Sequence, residues 1–178
     1  MKIGIDVSQM AYEGTGVANL LSKLVENLLE IDKENEYILF FSSLRKKVKS
    51  SKVKVQGYNS KLKIKEYRLP PALLDIFWNK LHIFPIENFI GDVDIFITSD
   101  WTEPPTKKAK KATILYDLTV YKYPRETDRT IVETQKRKLK WVKKESDIVF
   151  CISEATKRDA MEILGIEEKR LKVIYPGI

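Results

Sequence analysis

The stretch ATILYDLTVYKYP, residues 112–124, places a tyrosine and an acid where a buried strand should end. Residues 112–115 have the short apolar pattern of a buried strand, and Tyr116 and Asp117 follow directly. Because ligands of open α/β sheets bind at the carboxyl ends of strands, both residues are candidate catalytic groups. Side chains alternate along a strand, so only one of the two can point into a crevice. We expect Tyr116 to enter it and Asp117 to cap backbone amides of the next loop.

A second polar group follows another predicted strand, in the sequence TSDWTEPP. Ser99, Asp100 and Trp101 come directly after this strand, so we expect them at the same crevice. The face of Trp101, with polar groups beside it, suits stacking on a sugar ring. The same ring could equally pack under the prolines that follow.

Gly14, Thr15 and Gly16 stand just before the first predicted helix. Backbone amides at a helix N-terminus form a ready phosphate site, and glycines let a ligand approach the backbone. A βα turn that needs positive φ explains the glycines equally well. The dinucleotide fingerprint fits poorly because Asn19 occupies its third glycine position, and there is no Walker A motif. These features disfavour an NAD enzyme and a P-loop NTPase.

Other residues with chemical potential have simpler interpretations. Asp92 and Asp94 have the spacing of a metal-binding Asp-x-Asp, but they precede a strand and so lie opposite the expected crevice. We interpret them as solvated loop acids. His82, the only histidine, is expected to be a packed or exposed helix residue, and Cys151 a buried structural thiol. No zinc-ligand spacing occurs anywhere in the sequence.

The chain is basic, with 32 Lys and Arg against 25 Asp and Glu and a net charge of +7. Nucleic acid, an anionic membrane surface and phosphate-bearing substrates all suit this charge, as does a solvated Lys/Glu surface. The run KRKLKWVKK at 136–144 is interpreted as a solvated basic helix with a thin apolar face of Val132, Leu139 and Val142.

An aromatic segment at 72–90 could pack in the core or lie at a membrane interface, and core packing is the favoured interpretation. Its large aromatic residues are Phe77, Trp78, Phe84 and Phe89.

Length and composition indicate one globular domain spanning residues 1–178. Apolar residues make up 43% of the chain, and no apolar run approaches the length of a membrane span. The absence of a signal-peptide pattern and the single cysteine predict a cytoplasmic location, with peripheral contact to an anionic membrane as a further expectation.

Strand and helix patterns alternate along the chain. Strands are predicted at 2–7, 36–43, 94–99, 112–116, 147–152 and 171–175, with weaker signals at 53–56 and 62–67. Helices are predicted from Val17, at 129–145 and at 154–164, the last with Ser153 as N-cap and Gly165 after its end. The alternation predicts an α/β fold: a Rossmann-like, doubly wound, mostly parallel sheet with helices on both faces. The chain stops directly after a strand, so we expect it to be part of a longer protein.

Several motifs together resemble one enzyme family. In order they are KIGIDVSQMAYEGTGVANLLSKLVENLL, DIFITSDWTEPP, ILYDLTVYKYP, CISEATKRDAMEILGI and KVIYPGI. They look like the amino-terminal domain of family-four retaining glycosyltransferases, a group with many mannosyltransferases and other hexosyltransferases of cell-surface polysaccharide synthesis. The resemblance covers essentially the whole chain.

The resemblance implies a GT-B architecture, in which two Rossmann-like domains face each other across a cleft and no metal is required. This chain would be the acceptor-side domain, and the carboxy-terminal domain, which holds most of the nucleotide-sugar donor, would be absent from it. The implied roles are a loop reaching the donor phosphates and acceptor (Gly14, Thr15, Gly16), an acceptor-side lining (Ser99, Asp100, Trp101) and the start of a helix at the crevice (Ser153, Glu154).

Members of this family commonly have His-Asp-Leu where this chain has Tyr116, Asp117 and Leu118. In the family the histidine contacts the transferred sugar near its reacting carbon. A tyrosine keeps a hydrogen-bonding hydroxyl but does not become a cation near neutral pH.

The resemblance therefore implies transfer of a hexosyl group, with mannosyl as one candidate, from a nucleotide sugar to a saccharide or lipid-linked acceptor. The alternative is a non-catalytic module that binds carbohydrate or an anionic surface.

Overall fold

The computed structural model describes residues 1–44 and 61–176. These residues form one sheet of seven strands in the order β3-β2-β1-β4-β5-β6-β7, and every neighbouring pair is parallel. The strands are β1 (Lys2–Asp6), β2 (Glu36–Ser42), β3 (Leu62–Tyr67), β4 (Ile95–Thr98), β5 (Lys110–Leu115), β6 (Ile148–Cys151) and β7 (Leu171–Val173). The strand signal at 53–56 lies outside the described residues.

Six α-helices connect or flank the strands of this part of the chain. They are α1 (Gly16–Ile31), α2 (Pro71–Leu74), α3 (Glu87–Ile90), α4 (Thr119–Lys122), α5 (Arg129–Glu145) and α6 (Glu154–Glu162). A π-helical turn (Asp75–Lys80) continues α2, and short 3-10 turns occupy Ser8–Ala11 and Glu168–Arg170. Within the described ranges no helix is both long and apolar enough to cross a membrane.

Helices cover both faces of the sheet, as the alternating pattern predicted. Alternation of side chains along β2 sends Leu39 to one face and Phe40 to the other. On the first face Leu39 packs with Leu21 and Val25 of α1. On the second face Phe40 packs with Trp78, and the buried residues of α5 and α6 extend the same layer over β5 to β7. Because both faces are covered, β2 is buried from Tyr37 to Ser42.

Gly4, in the middle of β1, allows a close contact between the sheet and α3. A Cβ built on this residue would lie 2.7 Å from Phe96 and 2.8 Å from Ile90. Both side chains are buried, so they have little room to move. Glycine is therefore required here by packing.

Side-chain caps fix the starts of the three longest helices. The hydroxyl of Thr15 accepts a hydrogen bond from the amide of Ala18 at 3.2 Å, so α1 begins at Gly16. Asp128 caps α5, and Ser153 caps α6 through the amide of Thr156 at 3.0 Å. The predicted cap at Ser153 and the predicted helix at 129–145 are thus confirmed.

The aromatic segment at 72–90 divides between core and surface. Trp78 is buried against Phe40, which confirms core packing for this residue. After the π-helical turn the chain turns sharply, with positive φ at His82 (54°) and Phe84 (59°), and the ring of Phe84 stays exposed.

The order of the strands reverses direction next to β1. The chain runs from β1 outward through β2 to β3 and then returns to the other side of β1 with β4. In open α/β sheets such a reversal opens a crevice at the carboxyl ends of the strands, where ligands bind. The residues that follow β1 and β4 are therefore the first place to look for a site.

Candidate active site

A cavity of about 260 Å³ opens beyond the carboxyl ends of β4 and β5. Its polar lining brings together three parts of the chain: the loop after β4, the end of β5 and helix α5. The polar lining residues include Asp100, Tyr116, Asp117, Gln135 and Lys138. Trp101 lies at the same cavity, and apolar groups such as Val120 and Ile131 complete the walls. Four residues predicted from the sequence thus meet here.

Tyr116 extends from the end of β5 and is partly buried. Its hydroxyl lies 3.0 Å from the hydroxyl of Ser99, which joins the ends of β4 and β5. Its ring packs against the cluster that contains Val7 and Ala11, in the segment that leads toward Gly14. Burial raises the pKa of the Tyr116 hydroxyl to about 12, so this group is neutral and able to donate a hydrogen bond near pH 7.

Asp117 lines the cavity together with Tyr116, and its carboxylate also stabilises the following loop. Its carboxylate accepts a hydrogen bond from the amide of Thr119 at 2.8 Å, the capping contact expected for it. The carbonyl of Tyr116 accepts a hydrogen bond from the hydroxyl of Thr156 at 3.0 Å. The first turn of α6 therefore holds the backbone at the end of β5.

Asp100 is partly buried, and helix α5 holds its carboxylate. The Gln135 amide donates to the carbonyl of Asp100 at 3.0 Å and to its carboxylate at 3.2 Å. Burial raises the pKa of Asp100, while the nearby Lys138 and the hydrogen bond from Gln135 act in the opposite direction. A carboxyl group in this environment can accept hydrogen bonds from the hydroxyls of a bound ligand.

Lys138 is a functional candidate that the sequence interpretation missed. The run at 136–144 was interpreted as solvated, but Lys138 is only 2% exposed and donates a hydrogen bond to the carbonyl of Ser99. Burial lowers the pKa of its ammonium group, and three carboxylates raise it, those of Glu103, Asp100 and Asp6. Helical spacing could have revealed it, because position 138 shares a face with the buried Leu139 and Val142.

Asp6 is a second missed residue, at the carboxyl end of β1. It is buried, its carboxylate accepts a hydrogen bond from the amide of Ser8 at 2.9 Å, and Thr102 lies 3.5 Å away. Burial raises the pKa of Asp6, against the lowering effect of Ser8 and Lys138. The strand-end rule that selected Tyr116 applies equally to Asp6 and would have found it.

A buried polar network supports the loop after β4 from behind. Glu103 is completely buried and accepts hydrogen bonds from Thr98 at 2.6 Å and Thr113 at 3.2 Å. Lys111 lies 3.3 Å from the Glu103 carboxylate and 3.0 Å from that of Glu145. Since a buried charge is tolerated only when it is paired and hydrogen-bonded, this network fixes the loop in one position.

The predicted glycine loop and the start of α6 are not part of the cavity lining. Gly14 has a positive φ of 87°, as a βα turn requires. Gly16 does not, and a Cβ added there would meet open space. The interpretation of the glycines as a turn with positive φ therefore holds for Gly14 and not for Gly16. Ser153 caps α6 and Glu154 begins it, and Thr156 in the same turn contacts the carbonyl of Tyr116 after β5.

The remaining candidates have structural roles. Asp94 accepts a hydrogen bond from the amide of Lys2 at 2.7 Å, at the amino ends of the strands. His82 stacks on Trp141 at a ring distance of 3.5 Å. Cys151 is buried, and burial raises the pKa of its thiol to about 11. Over residues 1–44 and 61–176, no three His, Cys, Asp or Glu side chains are grouped as a metal site would require.

Comparison with solved structures identifies the class of fold. The chain is similar to HepE of Anabaena, solved in complex with UDP, with a TM-score of 0.51 and 12% identity over 99% of this chain. It is also similar to UGT2 of Phytolacca americana, solved with UDP-2-fluoro-glucose and pterostilbene, with a TM-score of 0.51 and 10% identity over 99% of this chain. The chain spans 44% and 52% of these two proteins. No family model and no curated protein matches the chain.

These comparisons and the parallel sheet define a Rossmann-like α/β domain that matches one half of a GT-B fold. The predicted fold class is therefore confirmed. The roles of the individual site residues stay predictions.

Proposed function

We propose that this chain is the acceptor-side domain of a retaining glycosyltransferase that uses a nucleotide sugar. The enzyme would move a hexosyl group, with mannosyl as a candidate, to a saccharide or lipid-linked acceptor. The observation that carries the proposal is the cavity at the carboxyl ends of β4 and β5, where Asp100, Tyr116 and Lys138 converge. Retention of configuration and the hexosyl group rest on the resemblance of the sequence motifs.

The cavity has the size and chemistry for one sugar ring. Its volume of about 260 Å³ is slightly below the range of about 300–1,000 Å³ found for sites of drug-sized ligands. In this proposal Asp100 and Gln135 bind the hydroxyls of the acceptor sugar, and Trp101 offers it an aromatic face. Val120 and Ile131 exclude water from the less polar side of the ring.

Tyr116 takes the position of the family's histidine in this proposal. Its hydroxyl is neutral near pH 7 and is already oriented by Ser99, so it can donate one hydrogen bond to the transferred sugar. Asp117 acts indirectly, because its carboxylate caps the loop that holds Tyr116 in place.

The donor would be bound between this domain and a second Rossmann-like domain, which the proposal assigns to another part of the protein. Both solved structures contain a uridine nucleotide, which supports a nucleotide sugar as the donor substrate. Gly14, Thr15 and Gly16 would approach the donor phosphates, with backbone amides at the start of α1 offsetting the charge of the leaving group. The proposed reaction includes no metal or other cofactor.

The experiment is a kinetic comparison of variants in the enzyme that carries both domains. Tyr116→Phe should lower kcat about tenfold or more because it removes one hydrogen bond in the transition state, whereas Tyr116→His should be tolerated. Asp100→Asn should mainly raise the KM for the acceptor. Tyr123→Phe is the matched control, because Tyr123 is exposed and lies outside the cavity lining. Unchanged kinetics for both Tyr116→Phe and Asp100→Asn would refute the assigned site.

A second measurement separates the enzyme from the alternative binding module. Saturation-transfer NMR on this chain should detect binding of methyl hexosides, and Trp101→Ala should abolish the signal. The chain alone should form no product with nucleotide sugars. If the two-domain protein binds saccharides but transfers none from a broad panel of nucleotide sugars, it is a binding module and the proposed activity is wrong.

A further inference from the structure

The segment after α2 carries several exposed apolar side chains within nine residues of the chain, 76–84. Ile76, Leu81, Ile83 and Phe84 are 39%, 58%, 40% and 46% exposed. Two backbone hydrogen bonds fold this segment on itself: the amide of Leu81 donates to the carbonyl of Ile76, and the amide of Ile83 donates to the carbonyl of Phe77. The rings of Phe77 and Phe84 lie 5.1 Å apart. We use the name apolar ridge for five residues: Ile76, Phe77, Leu81, Ile83 and Phe84. Scattered single exposed residues are ordinary, but a contiguous group indicates a surface that meets a partner.

The backbone of the apolar ridge is held in an unfavourable conformation. His82 and Phe84 both have φ in the left-handed region, at 54° and 59°, which is uncommon for residues other than glycine. Such a conformation persists only where surrounding contacts impose it. Here His82 stacks on Trp141 of α5, and the indole N–H of Trp78 donates to the carbonyl of Phe84 at 3.0 Å. The fold therefore holds the exposed side chains in place.

Lysines of α5 lie around Trp141, the residue that contacts His82 between Leu81 and Ile83 of the apolar ridge. The ammonium groups of Lys144 and Lys140 lie 4.8 and 5.8 Å from the ring of Trp141, on which His82 stacks. Lys80, next to Leu81 in the sequence, is also exposed. We call Lys80, Lys140 and Lys144 the lysine row.

The carboxylates near this surface are already paired with cations of the protein. Asp75 binds Arg137 at 2.7 Å, and Glu145 binds Lys111 at 3.0 Å. The acids of this region therefore do not offset the lysine row, and the surface combines apolar tips with positive charge.

We infer that the apolar ridge and the lysine row dock this domain on the surface of an anionic lipid membrane. Apolar side chains enter the boundary between headgroups and acyl chains, while lysines reach the lipid phosphates. A stable protein partner would need about 20–30 residues on each side, far more than this projecting surface offers. The inference does not depend on the proposed function.

Docking would also set the position of the cavity relative to the membrane. Asn79, within the same segment, donates to the carbonyl of Trp101 at 2.9 Å and accepts from the amide of Glu103 at 3.0 Å. The apolar ridge is thus joined rigidly to the loop after β4 that lines the cavity. A membrane-bound domain would hold this loop close to the lipid headgroups.

The test is vesicle flotation of the chain with phosphatidylcholine alone and with equal parts phosphatidylcholine and phosphatidylglycerol. The chain should float only with the anionic vesicles, and less as ionic strength rises. Leu81→Ser with Phe84→Asn should lower the affinity about tenfold or more. Asparagine at position 84 tolerates the positive φ, so this variant keeps the local backbone.

A second variant tests the charge separately. Lys140→Gln with Lys144→Gln should lower the affinity about fivefold per lysine. The matched controls are Lys23→Gln with Lys172→Gln, and Ile31→Ser with Met161→Ser, which change exposed residues outside the surface and should float like the unmodified chain.

Any of several results would overturn the inference. These are no flotation of the unmodified chain, equal flotation with neutral vesicles, and losses in the control variants as large as in the test variants. An apolar-ridge variant that floats normally but no longer self-associates in sedimentation velocity would instead assign the surface to a second copy of the chain.

Discussion

Replacing Lys138 by methionine should destabilise the domain strongly, because it removes the cation from a buried group of acids. Lys138 is 2% exposed and interacts electrostatically with Glu103, Asp100 and Asp6. Removing one partner of a buried charge group typically costs about 3–5 kcal/mol, because the opposite charges stay buried without compensation. Methionine keeps most of the apolar stem, so the loss of packing should be small beside this electrostatic cost.

The loss should depend on pH in a defined direction. Burial raises the pKa of Asp6 and Asp100 above 3.8, the ordinary pKa of an aspartate. At pH values between 3.8 and the raised pKa, the folded state therefore holds more protons than the unfolded state. Stability therefore falls as pH rises through this window. Lys138 lowers both pKa values, so Lys138→Met raises them further and widens the window. The deficit of the variant should be largest near pH 7 and shrink toward pH 4.

Urea unfolding followed by far-UV circular dichroism at several pH values measures this deficit. Lys136→Met is the matched control, because Lys136 is exposed two positions away on the same helix, and its effect should stay within about 0.5 kcal/mol. An equal deficit at all pH values would refute the electrostatic explanation and leave only packing. A deficit no larger than that of the control would show that Lys138 contributes nothing as a buried cation.

Three further predictions concern packing, capping and reactivity. Gly4→Ala should lower the free energy of unfolding by about 1–3 kcal/mol in urea titrations, because its Cβ would meet Phe96 at 2.7 Å; no change would mean that the contact relaxes freely. Thr15→Ala should cost about 1 kcal/mol by the same assay through loss of the cap on α1, and Thr15→Ser should restore most of it. Cys151 should react with iodoacetamide at pH 8 at least about a hundredfold more slowly in the folded than in the urea-unfolded chain, since burial raises the pKa of its thiol to about 11; comparable rates would contradict its burial.

The fold was predictable because the patterns that define it are local. The periodicity of α5 gave its bounds, 129–145, and the strand at 62–67 was placed correctly from a weak signal. Strand ends were less accurate: β7 ends at Val173 rather than at 175. Which strand pairs with which is a long-range property, and the interior strand β1 pairs with partners that lie far along the chain.

The site was predictable only in part. Tyr116 and Asp100 follow strands, so the rule for strand ends selected them. Lys138 comes from a helix, so the strand-end rule could not select it. Helical spacing places it on the buried face with Leu139 and Val142, but its contact with the carbonyl of Ser99 depends on how α5 crosses the end of β4, which is a long-range property. His82 likewise stacks on Trp141, which lies 59 residues later in the chain. This tertiary contact has no local signal in the sequence.

The position of β1 in the sheet has a consequence for synthesis on the ribosome. This first strand has β2 on one side and β4 on the other, and its amide at Lys2 is bonded to Asp94, 92 residues later. At about 5–20 residues per second, roughly 5–20 s pass between the translation of these two residues. During that interval the edge of β1 that β4 will cover has no native partner. The nascent chain thus presents an apolar, unpaired strand edge for seconds, which is the kind of surface that chaperones bind and that aggregates when several ribosomes translate one message.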